Sequence, residues 1–198
     1  TKLEVLNTEL SMDQDRNPFE SITCRIKKPI SILGKLKKMG LDISLENIER
    51  HLHDVAGIRV ICTFQKDIYI LADKLCAQDD IKLIARKDYI KNPKPNGYRS
   101  LHLIVEIPVF FAEGKKYMQV EVQFRTIAMD FWASVEHKIY YKKEIDHNTA
   151  QITEKLRLCA ENINLIATEL ENISKEIEMQ EEREPAESLS FWTGRRKT

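Results

Sequence analysis

The chain has 198 residues, 42% of them hydrophobic and 31% charged, so it can fill the core of one ordinary domain and is not a disordered polymer. Lys plus Arg number 31 and Asp plus Glu also 31, a formal net charge of zero, which excludes a generic nucleic-acid coat with its basic excess. With no signal peptide, no apolar run near the ~18 residues of a membrane helix, and four cysteines without a C-x-x-C pair, a cytoplasmic protein with free thiols is expected, three of the four in apolar surroundings.

Residues 1–17 are polar and turn-rich (Asn7, Ser11, Asp13, Asp15, Asn17) and read as a loosely held lead-in. A helix is expected from Pro29, which suits a first turn, with Ile30, Leu33, Leu36 and Met39 recurring and Gly40 as the stop. A β-branched strand follows at 57–64, a helix at 67–77 and a short strand near 81–85. Residues 91–97 (KNPKPNG) hold two prolines and an Asn-Gly pair and form a loop. Two strands, 101–107 and 117–125, meet at a turn around Glu113-Gly114. In the second, Met118, Val120, Val122 and Phe124 face one way and Gln119, Glu121, Gln123 and Arg125 the other. Helical character resumes near Ile127 and continues through Phe131, Val135 and Ile139.

The C-terminal third differs. Ile152, Leu156, Cys159, Ile163, Ile166, Leu170, Ile173 and Ile177 form an unbroken heptad seam. The flanking positions are mostly polar, which favours a helix contact between chains over packing on the same domain. Pro185 ends the helix, and the tail carries Phe191 and Trp192, able to dock elsewhere. The chain thus divides into a lead-in at 1–17, a domain at 18–148, an oligomerisation helix at 149–184 and a flexible tail at 185–198.

Three clusters carry chemistry. Charge is uneven, and residues 25–38 hold six Lys/Arg and no acid. Within them Arg25 and Lys27 alternate on an extended segment, and Ser31 and Lys35 lie one helical turn apart. Guanidinium and ammonium groups so placed can converge on a polyphosphate, although a solvated helix face has the same composition. The second cluster, Asp54-Val-Ala-Gly57-Ile-Arg59, puts a carboxylate before a strand, where it can hold Mg²⁺ or merely cap a turn. His53-Asp54 is also the pair of metal phosphohydrolases, but no further His/Asp set accompanies it. The third joins Asn96-Gly97-Tyr98-Arg99-Ser100-Leu-His102 to Glu121-Val-Gln123-Phe-Arg125-Thr126. A Tyr after an Asn-Gly turn can stack a base, and Glu121 can supply a second metal-binding carboxylate; packing and a plain surface position are the alternatives.

The ordered set RIK…SI..K, HDVAGIRV, RKDYI…NGYRSLH and VEVQFRT…FWASVEH resembles the synthetase domain of the RelA/SpoT family, the (p)ppGpp synthetases, over residues 18–143. The length and the C-terminal helix are similar to the stand-alone small alarmone synthetases. The resemblance implies an α+β fold, a mixed β-sheet flanked by helices and related to nucleotidyltransferases, with a long C-terminal helix. It implies transfer of pyrophosphate from ATP to the 3′-OH of GDP or GTP. It also implies roles: Arg25, Lys27 and Lys35, with Ser31 nearby, on the ATP phosphates; Arg59 on adenine; Asp54 and Glu121 on Mg²⁺, with Glu121 the proposed base; Tyr98 on guanine, with Asn96, His102 and Gln123 at the acceptor; Lys87 and Lys94 on its phosphates.

The stretch Ala85-Arg86-Lys87-Asp88 keeps basic character and leans towards GDP. Ser21-Ile22-Thr23 stands where some small synthetases carry an aromatic residue for alarmone activation, so that activation is not expected. The partners implied are the two nucleotides and further copies of the chain, most simply a homotetramer through the C-terminal helix; regulation by RNA stays open. Two alternatives stand beside this reading. Toxic relatives modify the tRNA 3′ end, but they lack parts of the guanine signature present here. A non-catalytic scaffold binding nucleotide or RNA would need neither carboxylate.

Overall fold

The computed structural model describes residues 1–14, 17–52, 54–140 and 149–181. The elements are α1 (Lys2–Gln14), β1 (Phe19–Ile26), α2 (Pro29–Lys38), α3 (Leu45–His51), β2 (Ala56–Cys62), α4 (Gln65–Cys76), β3 (Lys82–Asp88), β4 (Leu101–Phe111), β5 (Gly114–Thr126), α5 (Ile127–Tyr140) and α6 (Thr149–Glu181). The strands form one mixed sheet in the order β1-β2-β5-β4-β3. Its only parallel pair among the described residues is β2 with β5; the other three pairings are antiparallel.

Local chemistry places the ends. Pro29 opens α2 with a pre-set φ, and lysines 35, 37 and 38 lie in its last turn, where positive charge complements the helix dipole. Gly40 follows at φ +69°, the left-handed conformation that a helix stop demands. Ser44 caps α3 by accepting from the Asn47 amide at 3.1 Å. At the start of α4 the Asp67 carboxylate accepts from the Phe64 amide at 3.3 Å. Ile68, Leu71, Ala72 and Leu75 are spaced to bury one face of α4.

That face and α1 cover one side of the sheet. Leu3, Leu6 and Leu10 of α1 join Val60, Leu101, Leu103, Val122 and Phe124 in the core. Residues 2–14 of the expected loose lead-in are therefore a packed helix. Three leucines spaced along one helical face, each worth about 1.5–3 kcal/mol when buried, hold α1 against α4. The helix expected at 149–184 is present as α6, while Pro185 and the tail lie outside the described residues. Among the described residues no helix is long and apolar enough to cross a membrane.

Of the cysteines, Cys62 is buried, Cys76 partly so, and Cys24 and Cys159 are exposed; all four are free. With Cys24 and Cys159 both exposed, the expectation of three cysteines in apolar surroundings fails.

Candidate active site

With α1 and α4 on one face, the pleat turns the alternate residues to the other. One row of register partners runs Arg25, Gly57, Glu121 and Ile104, and a second, two residues on, runs Thr23, Arg59, Gln123, His102 and Lys87. Residues that are distant in sequence thereby become lateral neighbours. A cleft of about 340 Å³ opens on this face, lined among others by Arg25, Lys27, Asp54, Gly57, Arg59, Glu121 and Gln123.

Asp54 lies in the turn before β2, beside Lys27, whose amide continues the β1–β2 pairing by donating to the Val55 carbonyl at 2.8 Å. The Lys27 ammonium reaches Asp54 Oδ2 at 2.5 Å, and Lys35, from the last turn of α2, reaches Oδ1 at 2.9 Å. Burial alone would raise the Asp54 carboxyl, but these hydrogen bonds and charges outweigh it and hold the group below the ordinary carboxylate value. Glu121 is treated the same way. Its burial is outweighed by hydrogen bonds from His102 (Nδ1 to Oε1, 3.1 Å) and Gln123 (Nε2 to Oε2, 2.8 Å), while the charge of Asp54 acts upward. Both carboxylates are ionised at neutral pH.

A directed network extends from Glu121. Arg125 Nη2 donates to the Tyr98 hydroxyl at 2.7 Å, that hydroxyl bonds His102 Nε2 at 2.8 Å, and His102 Nδ1–H donates to Glu121, whose ionised carboxylate can only accept. Arg125 is buried and anchored by Asp130 at 2.9 Å, and Arg59 approaches the same Asp130 oxygen at 3.5 Å. Burial and then the nearby Arg125 charge lower the Arg59 guanidinium from its ordinary value. Lys94 Nζ sits 4.8 Å from the Tyr89 ring centre and 4.9 Å from that of Tyr98. Asn96 Oδ1 accepts from the Tyr98 amide at 3.2 Å, and its Nδ2 donates to Glu136 at 3.0 Å.

The structure therefore gathers Arg25, Lys27, Lys35, Asp54 and Arg59 with Glu121 and Gln123, and sets Lys94, Asn96, Tyr98 and His102 beside them. Ser31 stands exposed in the first turn of α2, outside the cleft lining. Lys87 is exposed at the far end of its row. Arg86 turns to the opposite face and pairs with Asp73 of α4 at 2.7 Å. His53 lies outside the described residues. Sequence reasoning missed Tyr89, Asp130 and Glu136, and gave Arg125 no role; for Arg125 the signal was its place on the polar face of β5.

Two ionised carboxylates in one cleft suit Mg²⁺, which binds through one or two carboxylates plus substrate phosphates. Among the described residues no group of three His, Cys, Asp or Glu gathers as a metal cage.

A mixed sheet bearing paired carboxylates and a basic cleft on one face defines a nucleotidyl-transfer type of site. Residues 24–146 match the region found in RelA/SpoT proteins, and the chain belongs to that family. It is 43% identical over 178 residues to the GTP pyrophosphokinase YwaC of Bacillus subtilis, covering 90% of this chain and 84% of that one. Against the GTP pyrophosphokinase YjbM of the same species it is 37% identical over 176 residues, covering 89% and 80%. Its fold matches that of small alarmone synthetase 1 from Bacillus subtilis bound to its product pppGpp, with a TM-score of 0.79, 35% identity and coverage of 89% and 88%.

Proposed function

We infer that the chain is a GTP pyrophosphokinase, which transfers the β,γ-pyrophosphate of ATP to the 3′-OH of GDP or GTP and yields AMP with ppGpp or pppGpp. The observation that carries this reading is the register across β1, β2, β5 and β4. It lines up Arg25, Arg59, Glu121, Gln123 and His102 on one sheet face, with Lys27 and Asp54 in the same cleft, Lys35 on Asp54 and Tyr98 on His102, which supports a phosphate-gripping half beside an acceptor half.

In this reading Lys27 and Lys35 exchange Asp54 for ATP phosphate oxygens, with Arg25 beside them and Ser31 at the helix start. Asp54 and Glu121 would hold Mg²⁺, which would supply charge neutralisation on the transferring group. Arg59 lies under adenine. Tyr98 stacks on guanine, with Asn96 holding its loop, and Lys94 and Lys87 meet the acceptor phosphates. His102 and Gln123 orient Glu121, which takes the proton of the 3′-hydroxyl. The 3′-oxygen bonds to the β-phosphorus as the bond from that phosphorus to the α,β-bridging oxygen breaks, and AMP departs. Positioning and charge neutralisation supply most of the acceleration.

Residues 18–148 form the synthetase unit on this reading, joined by the buried α1, and 149–184 the oligomerisation helix of a homotetramer. In support, α6 turns Leu156, Ala160, Ile163 and Ala167 towards its own domain but leaves Ile166, Leu170, Ile173 and Ile177 exposed. A cytoplasmic location accompanies this, and four unpaired cysteines agree with a reducing compartment.

The test is incubation of the protein with labelled ATP, Mg²⁺ and GDP or GTP, followed by nucleotide chromatography, with Asp54→Ala as control. Guanosine tetra- or pentaphosphate together with AMP, absent in the control, is the expected result. Untouched ATP with both acceptors overturns the reading.

A further inference from the structure

The loop between β3 and β4, which carries Tyr98, is backed by α6. Gly97 is buried, at φ +88°, where the loop passes the helix. A Cβ on Gly97 would lie 2.5 Å from the Ala160 Cβ, 3.0 Å from the Arg157 Cα and 3.4 Å from the Arg157 carbonyl oxygen. Loop backbone and helix backbone are thus in direct contact, which requires no side chain at 97 and a methyl at most at 160. Tyr98 packs against the cluster of Trp132, Ala133 and Ala160. Trp132 Nε1 donates to the Leu156 carbonyl at 3.1 Å and ties α6 to α5, while Asn96 is held by Glu136 of α5. At its other end α6 is strapped to the start of α4, where the Gln65 amide donates to Glu171 at 3.1 Å and Lys66 meets Glu178 at 3.3 Å.

Ala160 is not among the residues lining the cleft, and its contact with the loop is at Gly97 and Tyr98. We propose that Ala160 is a positioning residue for the guanine-nucleotide acceptor: it seats Gly97 against α6 and so presents the Tyr98 ring to the base. This rests on the reading of Tyr98 as the guanine platform. The consequence is one-sided. A bulkier residue at 160 pushes the loop outward and weakens the acceptor half, while the ATP half, built on β1, β2 and α2, is left intact.

The experiment compares wild type, Ala160→Val and Ala160→Gly by calorimetric titration with GDP and, separately, with a non-hydrolysable ATP analogue, each with Mg²⁺, alongside KM for both substrates. For Ala160→Val the GDP Kd and KM rise about 5- to 150-fold, the range of one lost base–ring stack, and the analogue Kd stays within about twofold. Ala160→Gly, which keeps the space open, retains GDP binding within about threefold of wild type. Unchanged GDP binding in Ala160→Val overturns the proposal, as does an equal loss for both nucleotides, the mark of general damage. A wild type that takes up no GDP removes the acceptor reading itself, and this proposal with it. Should Ala160→Val fail to fold, Trp132→Phe decides on the same readout. It deletes the bond to Leu156 but keeps a ring in place, and a selective rise in GDP Kd supports the proposal where no rise refutes it.

Discussion

Replacing Arg125 by Met tests whether the network behind Tyr98 holds the fold as well as the site. Met keeps most of the apolar stem and removes the charge. Three hydrogen bonds vanish: to Asp130 at 2.9 Å, to the Tyr98 hydroxyl at 2.7 Å and to Gln123 at 3.3 Å. Breaking a fully buried ion pair by deleting one partner costs about 3–5 kcal/mol. Here the Asp130 side chain keeps 26% of its exposure and Arg59 stands 3.5 Å away to take over part of the carboxylate. The cost is accordingly smaller, about 2 kcal/mol, equivalent to a fall in Tm of about 4–8 °C for a chain of this size. Urea unfolding of Arg125→Met, Asp130→Asn and the double variant measures it. The cycle should return a coupling of about 1–2 kcal/mol, because the pair shares one contact. If the single variants are additive, or Arg125→Met costs less than about 0.5 kcal/mol, within the range of ordinary surface changes, the network is not structural and the reasoning fails.

Leu6→Ala should cost about 2–5 kcal/mol by thermal or urea unfolding, since Leu6 is buried with Leu3 and Leu10; an unchanged midpoint would mean that α1 is loosely held after all. Asp54 and Glu121 have pKa values depressed below the ordinary 3.8 and 4.5, so the stability each contributes is complete at neutral pH and is lost as pH falls through the lower folded-state values. The urea midpoint of Asp54→Asn should therefore decline less than wild type between pH 5 and 2, and parallel declines would contradict the assignment. Ile173→Glu with Ile177→Glu on the exposed seam should lower the mass found by light scattering without loss of helix; an unaltered mass places any interface elsewhere.

The regular parts of this fold were legible where periodicity was strong. α2, α4, β2, β5 and α6 lie where their apolar spacing puts them, and the polar face of β5 was read residue by residue. α1 was missed although Leu3, Leu6 and Leu10 are correctly spaced, because Asn7, Ser11 and Asp13 gave a stronger local turn signal than three leucines gave for a helix. β1 was seen only as an extended segment around Arg25: as an edge strand with mostly exposed side chains it lacks the alternation that marks a half-buried one. α3 is seven residues long and rests on one Ser cap. Motif order named the candidate residues, but not who touches whom. That both Asp54 oxygens are taken by Lys27 and Lys35, that Arg125 orients Tyr98, and that Asp130 serves two guanidiniums all depend on strand register, which composition does not encode.

The parallel pairing of β2 with β5 bears on the birth of the enzyme. Chains are made from the N-terminus, so Arg25, Lys27, Lys35 and Asp54 leave the ribosome, able to pair β1 with β2, while Glu121 is still unmade. The strand that brings Glu121 must be inserted between β2 and β4 after α4, β3 and β4 have been synthesised, which makes it the most non-local step of the sheet and a slow one. The charged face of the sheet is therefore completed only when the middle strand slots home, long after its first basic residues have been made.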